Sequence, residues 1–202
     1  VSACGSLRKD YAPGSVVIPD QVFDFTRDRP RSFFDHGLVA HVGVADPFFF
    51  YFSTTLTDGL TAAGGTVHAG GTFITIEGPR FSTRAESNAF RAWGMSIIGM
   101  TTCPEAFLAR EAEMCYAVMA HVTDYDVWHL SELPVTVEMV MRTLRGNTQL
   151  AQAAIAEVLA KLPDLRSCSC GHALKDAILT SRESIPPETL TQLAPLVQRY
   201  LS

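Results

Sequence analysis

Cys115-Tyr116-Ala117-Val118-Met119-Ala120-His121-Val122, running on into Thr123-Asp124-Tyr125-Asp126-Val127-Trp128, is the stretch on which the fold turns. Its first eight residues are almost continuously apolar, as a strand covered on both faces requires. The run closes on two carboxylates two positions apart rather than on ordinary turn chemistry. On an extended chain such residues point to the same side. A strand ending in this pair suits a ligand with adjacent donor and acceptor atoms. On spacing alone, the pair serves a turn or a helix cap equally well.

Upstream, Ser96-Ile97-Ile98-Gly99-Met100 reads as a second short buried strand, and Pro104 to Met114 as the helix that follows it. Ser82 to Trp93 reads as a helix with Ser82 at its N-cap and Gly94 at its end. Gly71-Thr72-Phe73-Ile74-Thr75-Ile76-Glu77 alternates and is rich in β-formers. A helix is expected from Asp46-Pro47 to Ala63, closed by Gly64-Gly65. Val16-Val17-Ile18 reads as a strand leading into a polar loop. There Asp24, Arg27, Asp28, Arg29 and Arg31 suggest surface ion pairs. Downstream, Val137, Val140, Met141, Leu144, Leu150, Ile155 and Leu159 recur at helical spacing between Pro134 and Leu162, with a possible bend at Gly146.

Strands alternating with helices imply a layered α/β architecture: one domain over 1–202, with a mixed, largely parallel sheet flanked by helices. Ligands of such sheets sit beyond the strand C-terminal ends. Glu77-Gly78-Pro79-Arg80-Phe81, Met100-Thr101 and Thr123-Asp124 all fall at such ends, so one crevice is expected to gather them. A net charge of −5 with scattered Lys and Arg gives no basic patch for nucleic acid. No run is apolar enough for a bilayer span. Five cysteines without obvious pairing suggest a reducing, cytoplasmic setting. Val1-Ser2-Ala3-Cys4-Gly5 looks like the end of a strand with nothing before it, so a missing N-terminal portion is expected.

At four places the sequence resembles the methylthioadenosine phosphorylase branch of the trimeric purine nucleoside phosphorylase family. They are Ser2-Ala3-Cys4-Gly5-Ser6-Leu7, Ile76 to Glu86, Gly99-Met100-Thr101-Thr102-Cys103-Pro104-Glu105, and Thr123-Asp124-Tyr125-Asp126. Together they span most of the chain up to Leu162. The resemblance implies phosphorolysis of S-methyl-5′-thioadenosine to adenine and S-methyl-5-thio-α-D-ribose 1-phosphate, in purine and methionine salvage. It implies inorganic phosphate as co-substrate, no further cofactor, and a homotrimer with sites shared across interfaces. The family's N-terminal phosphate loop has no counterpart here, so the isolated chain is expected to be inactive. A broader or 6-oxopurine phosphorylase, or a non-catalytic subunit, are the competing readings.

The same resemblance assigns residues. The leaving purine gains negative charge, so a proton or strong donor is needed at N7. Asp124 is expected to carry that proton, its pKa raised by burial and by its neighbour, while Asp126 stays ionised and accepts from the 6-amino group. Phe81 is expected against the purine face and Ser82 on its edge, with Ser82 also capping its helix. Aspartate at 124 and serine at 82 favour a 6-aminopurine over a 6-oxopurine. Met100 is expected beside the ribose, and Ser2, Ala3 and Thr101 on the phosphate. Val137 and Val140 match the lining of the methylthio pocket, and His41 the residue lent by an adjoining subunit. Phe81, Met100, Val137 and Val140 are equally at home in a core, and His41 in a structural role. Arg80, Arg84 and Glu86 suggest structural ion pairs. Cys168-Ser169-Cys170-Gly171-His172 is a poor zinc pattern without a second ligand pair, so free thiols or a tail contact are preferred and no metal is expected. Some family members form disulfides in similar tails.

Overall fold

The computed structural model describes residues 1–129, 136–163 and 166–201, leaving aside the side chains of Met139, Val140, Arg142 and Leu144 within a helix. Its strands are β1 (Ser2–Ser6), β2 (Val16–Ile18), β3 (Gln21–Phe25), β4 (Val67–Ala69), β5 (Thr72–Ile76), β6 (Ile97–Gly99) and β7 (Ala120–Asp124). The helices are α1 (Phe50–Ala62), α2 (Arg84–Ala92), α3 (Glu105–Glu111), α4 (Val137–Leu159) and α5 (Pro187–Val197). The strands form one sheet in the order β3-β5-β6-β1-β7-β2-β4. Four pairings are parallel, while β1–β6 and β2–β7 are antiparallel. The mixed, largely parallel sheet read from the sequence is therefore present.

Only the end of the deciding stretch is a strand. Residues 115–119 are used singly by their neighbours: Phe49 N–H donates to the Tyr116 carbonyl at 2.8 Å and Ser2 N–H to that of Met119 at 2.9 Å. From Ala120 to Val122 every side chain is fully buried, because β7 is paired on both edges and covered on both faces. α4 runs as one helix through Gly146. Among the described residues, no helix is long and apolar enough to cross a membrane.

Besides a cluster of Leu7, Ile74, Phe90 and Ile98, two apolar layers hold the sheet. Cys4, Val17, Phe73, Ile97, Ala120 and Val122 belong to one, and Val16, Ile18, Leu56, Leu60, Ala154 and Val158 to the other, where α1 and α4 close over β2. Phe73 is completely buried, which stabilises the fold by roughly 2–3 kcal/mol. A further cluster, away from the sheet, was not legible in the sequence. Phe34 and Leu38 pack there against Leu174, Ala177, Ile185 and Val197, docking the C-terminal segment on the loop after β3. Buried Glu113 ties that segment down. It accepts from Leu174 N–H at 2.9 Å and the Tyr200 hydroxyl at 2.6 Å, and pairs with Arg199.

The loop after β3 corrects one expectation. Arg31 pairs with Asp24 as the surface reading requires, but Arg29 turns inward. Its guanidinium donates to the carbonyls of Met100 (2.7 Å), Cys103 (2.6 Å) and Glu77 (2.7 Å), and to the Glu77 carboxylate (3.1 Å). It pins together the segments that leave β5 and β6. The attraction of buried carbonyl groups for a planar fork of five donors outweighs exposure.

Candidate active site

A cavity of about 210 Å³ opens along β1, lined by Ala3, Cys4, Gly5, Ile76, Phe81, Ser82, Ile98, Gly99, Met100, Thr101, Thr123, Asp124 and Asp126. The three expected segments do meet. They do not meet beyond one set of strand ends, because β1 runs antiparallel to β6 and parallel to β7. The segment leaving β6 lies beside Ser2, where the Ser2 and Thr101 hydroxyls are 2.8 Å apart. The end of β7 lies beside Gly5, which is in register with Asp124. Three residue steps along β1, from Ser2 to Gly5, separate the two ends, about 10 Å of strand. Larger cavities of about 780 and 670 Å³ lie elsewhere. The second of these is lined by Asp20 and Asp46, both exposed, whereas this one has buried polar groups aimed into it.

Asp124 and Asp126 are 6% and 9% exposed. They meet by a different route from simple alternation. The strand stops at Asp124, and the chain turns so that Asp126 takes a left-handed conformation with φ of 52°. Asp126 N–H then donates to Asp124 Oδ1 at 2.7 Å, a local turn closed by an aspartate side chain. The Thr123 hydroxyl donates to Asp124 Oδ2 at 2.6 Å, with the Cys4 carbonyl 3.1 Å away as its other acceptor. The turn and the carboxylate site are thus the same structure. Trp128 braces it by donating from Nε1 to the Ser6 carbonyl at 2.7 Å, under the Arg91 guanidinium.

The two carboxylates are held differently in the free chain. Asp124 accepts hydrogen bonds on both oxygens, whereas Oδ2 of Asp126 is buried with no hydrogen-bond partner. Burial pushes the Asp126 carboxyl up and the nearby Ser87 hydroxyl draws it down. The charge of Asp124 pushes it up again, leaving it at about 6.

Ser82 is 8% exposed, and its buried hydroxyl oxygen has no hydrogen-bond partner. It is not the cap of α2. That role belongs to Thr83, whose hydroxyl accepts from Glu86 N–H at 3.2 Å while the Glu86 carboxylate accepts from Thr83 N–H at 2.7 Å. Thr83 wins because the capping box needs glutamate three residues on, which position 83 has and 82 lacks. Relieved of capping, Ser82 faces the cavity. Arg80 grips Glu86 through both nitrogens at 2.7 Å, the structural ion pair expected there.

Phe81 is 42% exposed and Met100 half-buried, and both line the cavity, as do Ala3 and Thr101. Ser2 reaches it through Thr101. The remaining expected residues are not brought in. Val137, at the start of α4, is 68% exposed and does not line this cavity, and His41 is exposed on another part of the chain. The Val140 side chain lies outside the described residues. Sequence reasoning missed Arg29, which holds Met100 in place; its only signal was an arginine in a loop crowded with other charges. It also missed Gly5. A Cβ there would stand 2.9 Å from Asp124 Oδ1 and 3.3 Å from Asp126 Cβ, so only glycine lets β1 pass this close to the carboxylates.

The thiols of Cys168 and Cys170 meet a third partner that the sequence did not indicate. It is Cys115, 3.3 Å from Cys168, rather than His172.

A model of the Phosphorylase superfamily matches residues 1–160. The S-methyl-5′-thioadenosine phosphorylase of Chloroflexus aurantiacus is 49% identical over 203 residues, covering all of this chain and 70% of that protein. That of Geobacter sulfurreducens is 46% identical, covering all of this chain and 71% of that protein. A methylthioadenosine phosphorylase from an antarctic soil metagenomic library superposes with a TM-score of 0.90 at 42% identity, over 96% of this chain and 69% of that one. The Schistosoma mansoni methylthioadenosine phosphorylase in complex with adenine gives 0.81 at 33%, over 86% and 68%. By sequence and by fold alike, the chain belongs to the phosphorylase superfamily and, within it, to the S-methyl-5′-thioadenosine phosphorylases.

Proposed function

We propose that the β1 cavity cleaves S-methyl-5′-thioadenosine with inorganic phosphate, releasing adenine and S-methyl-5-thio-α-D-ribose 1-phosphate. One observation carries the assignment of the site. Two orphaned buried groups, Ser82 Oγ and Asp126 Oδ2, stand beside Asp124 at one end of a cavity whose other end holds the Ser2–Thr101 hydroxyl pair. Buried polar atoms without partners are costly, and a purine edge would satisfy them.

The residues then divide the work. Phosphate sits on Thr101, Ser2 and the backbone of Ala3, and attacks C1′ as the bond to N9 breaks. The electron pair of that bond passes into the purine, which needs a proton at N7. Adenine's 6-amino group donates to Asp126 and stabilises its ionised form. A proton held by the pair is delivered from Asp124 to N7. Ser82 bonds the base edge, Phe81 covers its face, and Met100 lies under the ribose. The methylthio end is assigned to Val137, Val140 and His41 on family resemblance. A homotrimer, in which one subunit's His41 serves another's site, and a cytoplasmic location belong to the same reading. No cofactor beyond phosphate is invoked.

Calorimetric titration with adenine and hypoxanthine, together with phosphate-dependent release of each base from its methylthio nucleoside, tests the assignment. Adenine should bind more tightly and be released faster. Equal binding of the two bases would sink the carboxylate assignment. Asp124→Asn should sharply lower turnover of the methylthio nucleoside, because an amide has no proton to give up to N7, and shift preference toward the 6-oxopurine, whose N7 and O6 edge is all acceptors and suits an amide donor.

A further inference from the structure

Away from the β1 cavity, the fold gathers three thiols from two distant parts of the chain. Cys115 lies in the segment leading to β7, while Cys168 precedes the short 3-10 turn Ser169–His172 and Cys170 lies within it. Their sulfur atoms all lie within 4.8 Å of one another, and all three thiols are free. A soft metal at the centre of a three-sulfur plane, with metal–sulfur bonds of about 2.3 Å, sets its sulfurs about 4.0 Å apart. Small side-chain rotations bring the present spacing to that value. Among the described residues, no histidine or carboxylate joins the group. Three sulfurs without a fourth ligand do not suit the closed tetrahedron of structural zinc.

The surroundings are cationic. Arg110 Nη1 is 3.7 Å from the Cys170 sulfur. The Arg166 charge bears on Cys168, and its guanidinium lies so close over Gly171 that a Cβ there would meet Nη2 at 2.6 Å. Two guanidiniums repel a bare divalent ion but balance a complex that is itself an anion. Solvent reaches the thiols from a cavity of about 780 Å³ lined by Cys115, Cys168 and Arg166, and from one of about 670 Å³ lined by Cys170 and Arg110.

We propose that Cys115, Cys168 and Cys170 form a three-thiolate site for monovalent copper. Three thiol protons leave to solvent and three sulfur–copper bonds form. The metal stays at +1, so no oxidant or reductant is consumed. The resulting group carries a charge of −2, which Arg110 and Arg166 offset. Thiolate softness selects Cu(I) over the harder divalent ions.

The test is anaerobic titration of the fully reduced protein with Cu(I), in competition with a Cu(I)-chelating dye and followed by the sulfur-to-copper charge-transfer band in the near ultraviolet. One Cu(I) per chain should bind with three sulfurs in its coordination shell by X-ray absorption. Cys168→Ser should abolish the band. Arg110→Gln keeps every thiol and should weaken binding about tenfold, so the proposal stays testable even if the serine variant misfolds. Absence of stoichiometric binding, binding unchanged in both variants, or tight 1:1 binding of zinc in place of copper would each overturn it. So would a Cys115–Cys168 disulfide that resists reduction.

Discussion

Gly5→Ala puts the site geometry to its sharpest trial. The added Cβ would stand 2.9 Å from Asp124 Oδ1, where ordinary contacts begin at 3.4 Å, so about half an ångström must be found. Asp124 cannot yield freely, because the Thr123 hydroxyl holds one oxygen at 2.6 Å and Asp126 N–H the other at 2.7 Å. On the other side Ile98 Cγ2 is only 3.3 Å from the new carbon. Overpacking of this kind costs about 1–3 kcal/mol. For a chain of this length that is a fall in Tm of roughly 5 °C. The effect on the ligand should be larger than the effect on the fold. A misplacement of about 1 Å costs about a hundredfold, so half of that should weaken adenine binding about tenfold. Calorimetric titration with adenine, beside a thermal melt, reads both quantities. Gly43→Ala is the control, since a Cβ there meets nothing within 4 Å. A folded Gly5→Ala protein that binds adenine as tightly as the parent would refute the placement of the base against Asp124.

Other outcomes follow from the same coordinates. His121 is fully buried with neither ring nitrogen bonded, and burial lowers its pKa to about 4. The unfolded chain therefore binds the proton first as pH drops below about 6.5, and stability is lost between there and about 4, amounting to about 2 kcal/mol by pH 5. Urea unfolding at pH 7 and pH 5 measures that loss, and His121→Met should remove it. Turnover should fall as pH rises through about 6, where Asp126 gives up its proton, and in Asp126→Asn a pH–rate profile should lose that limb. Arg29→Lys cannot reproduce a fork that serves four carbonyls and a carboxylate. It should cost about 3 kcal/mol in a denaturant melt and raise KM for the nucleoside through Met100.

Most of the sheet and four of the five helices were legible because their signals are local, whereas β3, inside the stretch read as a polar loop, β4 and α5 were not. The β-rich alternation of residues 71–77, the glycines after Ala63 and Trp93, and the Pro104 start each name an element without help from the rest of the chain. The carboxylate pair was legible for the same reason, although the chain reaches it by turning at Asp126 rather than by staying extended. What escaped depends on pairing at a distance. Nothing near Arg29 says that carbonyls from residues 76–103 will surround it. Gly5 looks like any glycine until β7 is laid beside it. The Ser82 and Thr83 roles were exchanged because both residue types cap helices, and only the partner at Glu86 decides between them. The C-terminal segment carries short apolar stretches whose meaning appears only when Phe34 and Leu38 come to meet them.

The placement of both ends of the cavity on one short strand has a consequence for selectivity. On the proposed reading, the carboxylates that grip the base and the hydroxyls that present the nucleophile lie against the two ends of one rigid rule, β1. Their spacing is fixed by backbone geometry and not by side chains that could adapt. A substrate with a longer bridge between base and reacting carbon could satisfy one end only, however well each end matched its chemistry. Lengthening the rule by one residue would also turn every following side chain to the opposite face. The strand thus acts as a gauge of molecular length, and evolution could retune which base or which sugar is accepted only at the tips, leaving the distance between them untouched.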